Sequence, residues 1–162
     1  MAFDVFLKIE GVTGEATAKG HEGEIEIYSF SWGASNPTTI SSQSTGSGGG
    51  KVAVSSFNIM KKTDLASPNL FKTCCTGTHY ATATVTFRKA GGEQLEYLTY
   101  LFEEVYVDSI QWSGSSGGDD APTESVSFSY GKVTITYKPQ LAEGGLGGAV
   151  PAGWDVRTVT AS

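Results

Sequence analysis

The residues able to do chemistry in this chain are few and poorly placed for it. Cys74, Cys75 and His79 form the one grouping with metal-ligand character. Two adjacent cysteines lack the Cys-x-x-Cys interval that lets both thiolates reach one ion, so the spacing predicts a buried thiol pair and a turn histidine rather than a zinc site. His21 is the only other histidine, which leaves a histidine-dependent triad short of bases. Glu103-Glu104 and Asp119-Asp120 are paired carboxylates of the kind used in acid–base work. The first pair lies on a strand whose neighbouring side chains point to opposite faces and the second in a glycine-rich turn, so neither converges on one site. Solvated or interface charge is the reading both support.

Gly46-Ser47-Gly48-Gly49-Gly50-Lys51 has the look of a phosphate loop but not its grammar. Thr45 stands where the motif needs glycine, Val52 where it needs serine or threonine, and a strand pattern follows in place of a helix. No Gly-x-Ser-x-Gly elbow is present to support a serine hydrolase. The sequence therefore implies no enzyme, no cofactor and no metal.

The elements that carry these residues are mostly strands. Phe3 to Ile9 is the first. Ile25 and Ile27 then alternate in one phase and Tyr28, Phe30 and Trp32 in the other, so a one-residue phase change falls near Ile27-Tyr28, the mark of a bulge. Val126, Phe128 and Tyr130 against Val133, Ile135 and Tyr137 repeat it, with the change at Gly131-Lys132. Val52 and Val54, with Phe57 and Ile59, mark another strand, and Thr84 to Arg88 alternates so that Thr84, Thr86 and Arg88 form a half-wet face. Leu95 to Trp112 is apolar in both phases, which requires that both faces be covered, by a helix of the same monomer or by another subunit. A helix is expected from about Asp64 to Thr73 or Cys75, capped by Asp64 or, because Pro68 suits only a first turn, by Ser67, with an apolar face of Leu70, Phe71, Cys74 and Cys75 and with Gly77 as the stop. Residues 34–50 read as a loop longer than compact domains usually allow, hence functional or disordered. Ser113 to Pro122 reads as a Gly/Ser/Asp turn, and a last short strand is expected near Trp154-Arg157.

Composition narrows the class. The 162 residues suit one domain, and 17% charged residues is low for a wholly solvated surface, which leaves room for protein contacts. A net charge of -6 argues against a phosphate backbone as partner. The N-terminus has neither a basic region nor an apolar core of signal-peptide type, and no apolar run approaches the ~20 residues of a spanning helix. The expectation is synthesis in the cytoplasm without membrane insertion or a structural disulfide.

Phe6-Leu7-Lys8-Ile9, Gly14-Glu15, His21, Gly23-Glu24-Ile25 and Ser31-Trp32-Gly33 together resemble the N-terminal half of the haemolysin-coregulated (Hcp) tube proteins of type VI secretion. The resemblance continues through Lys51-Val52, Lys61, Ser67-Pro68-Asn69-Leu70, Cys74, Gly77, His79, Phe87-Arg88-Lys89-Ala90-Gly91-Gly92, Glu96-Tyr97-Leu98, Pro122-Thr123-Glu124, Phe128, Tyr137, Pro139-Gln140 and Gly153-Trp154. It spans the chain and departs in residues 34–50 and in the tail 141–162.

What the resemblance implies is a mainly β fold over one domain, residues 1–162: a closed or nearly closed antiparallel β-barrel with one short flanking α-helix and a long extended loop. It also implies a homohexameric ring around a channel, and rings stacked into the inner tube of a contractile machine. The implied partners are other copies of the chain, sheath, spike and baseplate proteins, and small effector proteins in the channel, with secretion through the machine. Phe30 and Trp32 as core residues would send Ser29 and Ser31 to the opposite face, where they would line the channel and meet cargo, or else simply face solvent. Ser41, Ser42, Gln43 and Ser44 of the loop and Leu101 of the apolar strand are the expected contacts within or between rings. The rival readings are a monomeric ligand-binding barrel and a phage-type tail tube subunit.

Overall fold

A computed structural model describes residues 2–40, 48–90, 93–118 and 120–162. Its strands are β1 (Phe3–Ile9), β2 (Ile25–Ile27), β3 (Ser29–Ser31), β4 (Ala34–Ser35), β5 (Thr38–Thr39), β6 (Gly48–Gly49), β7 (Ala53–Val54) and β8 (Phe57–Lys62), then β9 (His79–Lys89), β10 (Glu96–Ser113), β11 (Thr123–Tyr137), β12 (Val150–Asp155) and β13 (Thr160–Ala161). The helix α1 (Ser67–Thr76) lies between β8 and β9 and packs against β10.

Hydrogen-bonded neighbours in the main sheet run β13-β12-β11-β10-β9-β1-β2, all antiparallel, and a branch from β11 adds β8 and then β3. The expected mainly β fold with one short helix is present. The ladder itself is an open, branched path and not a closed ring, because β2 pairs with β1 while β3 pairs with β8. The chain changes partner at Tyr28, where the sequence changes phase, and the Tyr28 N–H donates to the Met60 carbonyl at 2.9 Å.

The core is built from one face of each strand: Val5, Leu7 and Ile9 of β1, Ile25 and Ile27 of β2, Phe57 and Ile59 of β8, Val85 and Phe87 of β9, and Val126, Phe128 and Tyr130 of β11. Phe30 and Trp32 pack against it as their phase implied. Trp32 meets Tyr100 at 5.0 Å and Phe102 edge-on at 5.7 Å, and its indole N–H donates to the Tyr130 hydroxyl at 2.6 Å. Burial pushes the Tyr130 phenol above the ordinary tyrosine range, with the Trp32 hydrogen bond opposing the shift. Such aromatic pairs are each worth about 0.5–1.5 kcal/mol beyond the area they bury. This mesh occupies the space where a ligand-binding barrel would keep its cavity.

The two apolar phases of Leu95–Trp112 resolve into one inward face with interruptions. Leu98, Tyr100 and Phe102 face the core, then Val105 and Val107, then Ile110. The first change falls at Glu104, whose φ is +56°, and the second at the bulge between Val107 and Ser109. Across the ladder, Phe102 pairs with Val133 and Val105 with Tyr130, so β11 changes phase in step through Gly131. A side chain at Gly131 would come within 2.6 Å of the Glu104 carboxylate, which explains the glycine. Glu104 Oε2 lies buried 2.6 Å from Arg157 Nη1, an ion-pair contact without hydrogen-bond alignment, so the two are held by charge alone. Beyond this bend β11 exchanges its second neighbour, β8 before it and β12 after it.

Several expectations need correction. Thr86 and Arg88 are buried, because residues 10–24 fold over the outer face of β1 and β9. There His21 stacks on Phe6 at 4.5 Å, its Nδ1 faces Glu24 at 3.0 Å and its Nε2 faces Glu96 at 2.7 Å, while Arg88 sits on Phe6, 4.9 Å from the ring centroid. Ala66, not Ser67, stands at the N-cap position and no side chain caps the helix, the Ser67 hydroxyl accepting instead from Lys61 and the Asp64 N–H; Gly77 ends it at φ +72° as expected. Leu70 and Thr73 are its buried face, and Phe71 and Cys75 are exposed, so the cysteines are not a buried pair. His79 begins β9 and packs against Tyr106 at 5.4 Å. The flanks of the 34–50 loop are paired, β4 with β7 and β5 with β6.

Candidate functional site

Ser29 and Ser31 stand on the face of β3 opposite the core, and both are exposed. Their neighbours extend that face across four strands. Ser29 is opposite Met60 and Ser31 opposite Asn58 on β8; these are opposite Ser125 and Ser127 on β11, which in turn face Gln111 and Ser109 on β10. Hydroxyls and one amide interlock here: Ser127 Oγ donates to Asn58 Oδ1 at 2.5 Å, and Asn58 Nδ2 to the Ser56 carbonyl at 3.2 Å. A shallow recess of about 220 Å³ lies between β3 and β8, lined by Ser29, Ser31, Asn58, Met60 and Ser125.

Charge appears only at the margins of this face among the described residues. Asp108, the bulged residue of β10, accepts from Ser56 at 3.1 Å and from Ser129. At the other margin Lys62 pairs with Asp120 at 3.1 Å, and each holds the other in its charged form: the Asp120 carboxylate raises the lysine above its usual range, and Lys62 lowers the aspartate.

The sheet carrying the face has an unpaired edge at each end among the described residues. Among the described residues β3 has a ladder only with β8. The ladder from β9 to β10 stops at His79 and Tyr106, whereas β10 runs on to Ser113 with β11 on its other side. The Cys74 thiol contacts the Asp108 carbonyl at 3.7 Å where α1 meets this stretch.

The structure thus brings Ser29 and Ser31 together and surrounds them with Asn58, Met60, Ser109, Gln111, Ser125 and Ser127, none of which the sequence reading singled out. The signal was available, since these residues alternate with Phe57, Ile59, Val126, Phe128 and Ile110. Leu101 lies apart, half-buried on the outer side of β10 between Thr84 and Thr134. Ser41, Ser42, Gln43 and Ser44 fall outside the described residues.

The model for the family described as type VI secretion system effector, Hcp, matches residues 6–137. The chain belongs to the Hcp family. It is 43% identical over 159 residues to Protein hcp1 of Pseudomonas aeruginosa, covering 97% of both chains. A solved structure of a type six secretion system protein superposes with a TM-score of 0.94 at 35% identity, over 99% of this chain and 100% of that one. Hcp1 from Salmonella typhimurium superposes at 0.79, also 35% identical, over the full length of both chains. As an Hcp protein the chain is a structural tube subunit of a type VI secretion system and not an enzyme. No helix among the described residues is long and apolar enough to cross a membrane.

Proposed function

We propose that six copies of this chain close head-to-tail into a ring whose channel is lined by the serine face, and that rings stack into the tube. The observation that carries this reading is the pair of unlike free edges on one uncharged face. A ring needs a heterologous contact, one surface meeting a different one on the next copy, and it closes only when the rotation divides the circle. The β3 edge of one copy set beside the 109–113 stretch of the next would continue the ladder around the ring. It would also satisfy backbone groups that are otherwise a template for uncontrolled association.

Within each copy, the corner at Tyr28 brings β2 beside β8 and leaves the ladder short of closure, so the single domain over residues 1–162 is a nearly closed barrel. The channel wall suits transient cargo. Its hydroxyl and amide groups exchange hydrogen bonds with water at little net gain, so a small effector protein is held without being trapped. On this reading Ser29 and Ser31 touch cargo, loop residues Ser41 to Ser44 contact neighbouring copies, and sheath, spike and baseplate proteins are the partners outside the tube. The particle then leaves the cell through the same machine.

Light scattering on the purified protein should give the mass of six copies, and negative-stain images should show annuli. A lone 17.0 kDa particle at every concentration and salt would sink the proposal.

A further inference from the structure

The most densely bonded side chains outside this face lie directly beneath it. Lys61 and Glu124 are both fully buried and stand opposite one another in the β8–β11 ladder. Lys61 Nζ donates to Glu124 Oε2 at 2.6 Å, Asp64 Oδ1 at 2.9 Å, Ser67 Oγ at 3.1 Å and the Lys62 carbonyl at 3.0 Å. Four acceptors around three N–H groups leave one donor shared and no proton idle. The other oxygen of Glu124 accepts the Trp112 indole N–H at 2.6 Å. The turn entering α1 is closed by the same groups, the Asp64 N–H donating to Ser67 Oγ and the Ala66 N–H to Asp64 Oδ1. One buried network therefore joins β8, β10, β11 and the start of α1, and it brings Glu124 to Lys61, 63 residues away in the sequence, and to the neighbouring Ser67.

A buried ion pair is a poor way to stabilise a core, since desolvation consumes much of the attraction and an apolar pair of the same volume does as well or better. Such a pair does distinguish arrangements that apolar contacts do not. After a two-residue slip toward Tyr130, the inward residues here would still meet apolar partners, Phe57 against Tyr130 and Ile59 against Phe128. The outward serines and Asn58 carry little register information. Slippage would leave Lys61 and Glu124 buried and unpaired. The network also fixes Trp112, which remains 43% exposed, beside Phe71 of α1 with ring centroids 5.8 Å apart. Trp112 stands on the stretch of β10 that lacks a β9 partner.

We propose that the Lys61–Glu124 pair is a positioning device for assembly: it sets the β8–β11 register and turns Trp112 and α1 toward the next copy at the free end of β10. This rests on the ring reading, and continuity with that edge is what selects a second copy as the occupant of the Trp112–Phe71 patch.

The test uses the full chain carrying Lys61→Met with Glu124→Leu, compared with the wild type by thermal unfolding and by light scattering over a dilution series. The expected result is a melting temperature within a few degrees of wild type, since Asp64 and Trp112 keep access to solvent when they lose their partners, with rings that dissociate at about tenfold higher protein concentration. A double variant that assembles over the wild-type range overturns the proposal, and so does one that melts markedly earlier, since the pair is then an ordinary stability element. Trp112→Phe keeps the aromatic ring and removes only the N–H; it should weaken assembly in the same direction, and wild-type assembly by this variant also overturns the proposal. Wild-type protein that forms no rings defeats the ring reading first, before any variant is compared, and this inference with it.

Discussion

Ser31 shows how far one residue type can be read. Its orientation follows from its neighbours: Phe30 and Trp32 are committed to the aromatic core, and a strand has only two faces. That much was legible from alternation alone, because the bulk of the aromatics decides which face is buried. The surroundings of Ser31 were not, since they come from β8, β10 and β11, and pairing partners depend on register rather than on composition. Ser31→Gln adds length and an amide to an exposed position beside Asn58 without touching the core. Ring assembly is expected to be unchanged while co-purification of a small effector falls severalfold. A pull-down that retains wild-type cargo would show that Ser31 merely faces solvent.

At the scale of the element, β10 carries two apolar phases for more than one reason. Apolar residues in both phases imply a strand covered on both faces, and here they also mark two interruptions that move the inward face from even to odd positions and back. Periodicity cannot separate these cases when both phases are apolar. In β11 it can, because threonine, serine and lysine alternate with the apolar residues and the change at Gly131 stands out. The two strands bend together because they share a ladder. Leu101 gains a different meaning as a result. It is half-buried on the outer side and not a core residue, so an arginine in its place can carry its charge outward along its aliphatic stem. Leu101→Arg should therefore cost the monomer only about 1 kcal/mol, the scale of an ordinary substitution outside the core. We expect a native far-ultraviolet circular dichroism spectrum, with sizing shifted toward the single subunit if the outer face of β10 meets a neighbour. An intact ring would remove Leu101 from the interface.

The whole molecule adds a constraint that no single contact carries. Each copy bears a net charge of -6, and the serine face carries charge only at its margins among the described residues, so on the ring reading most of that charge lies away from the channel. A closed ring concentrates that charge sixfold, and two rings approaching along one axis repel before any short-range contact forms. Screening shortens this repulsion: the Debye length is about 10 Å at 0.1 M salt and about 3 Å at 1 M. On the ring reading, contacts within a ring depend mainly on edge pairing and apolar burial, which salt alters less than it alters long-range repulsion. Raising sodium chloride from about 0.05 M to about 0.5 M should therefore leave the six-copy species intact and increase the fraction of faster, multi-ring species in sedimentation velocity. The opposite trend, stacks that dissolve as salt rises, would mean that complementary charges join the rings, with acidic groups on one rim meeting the lysines and arginines of the next.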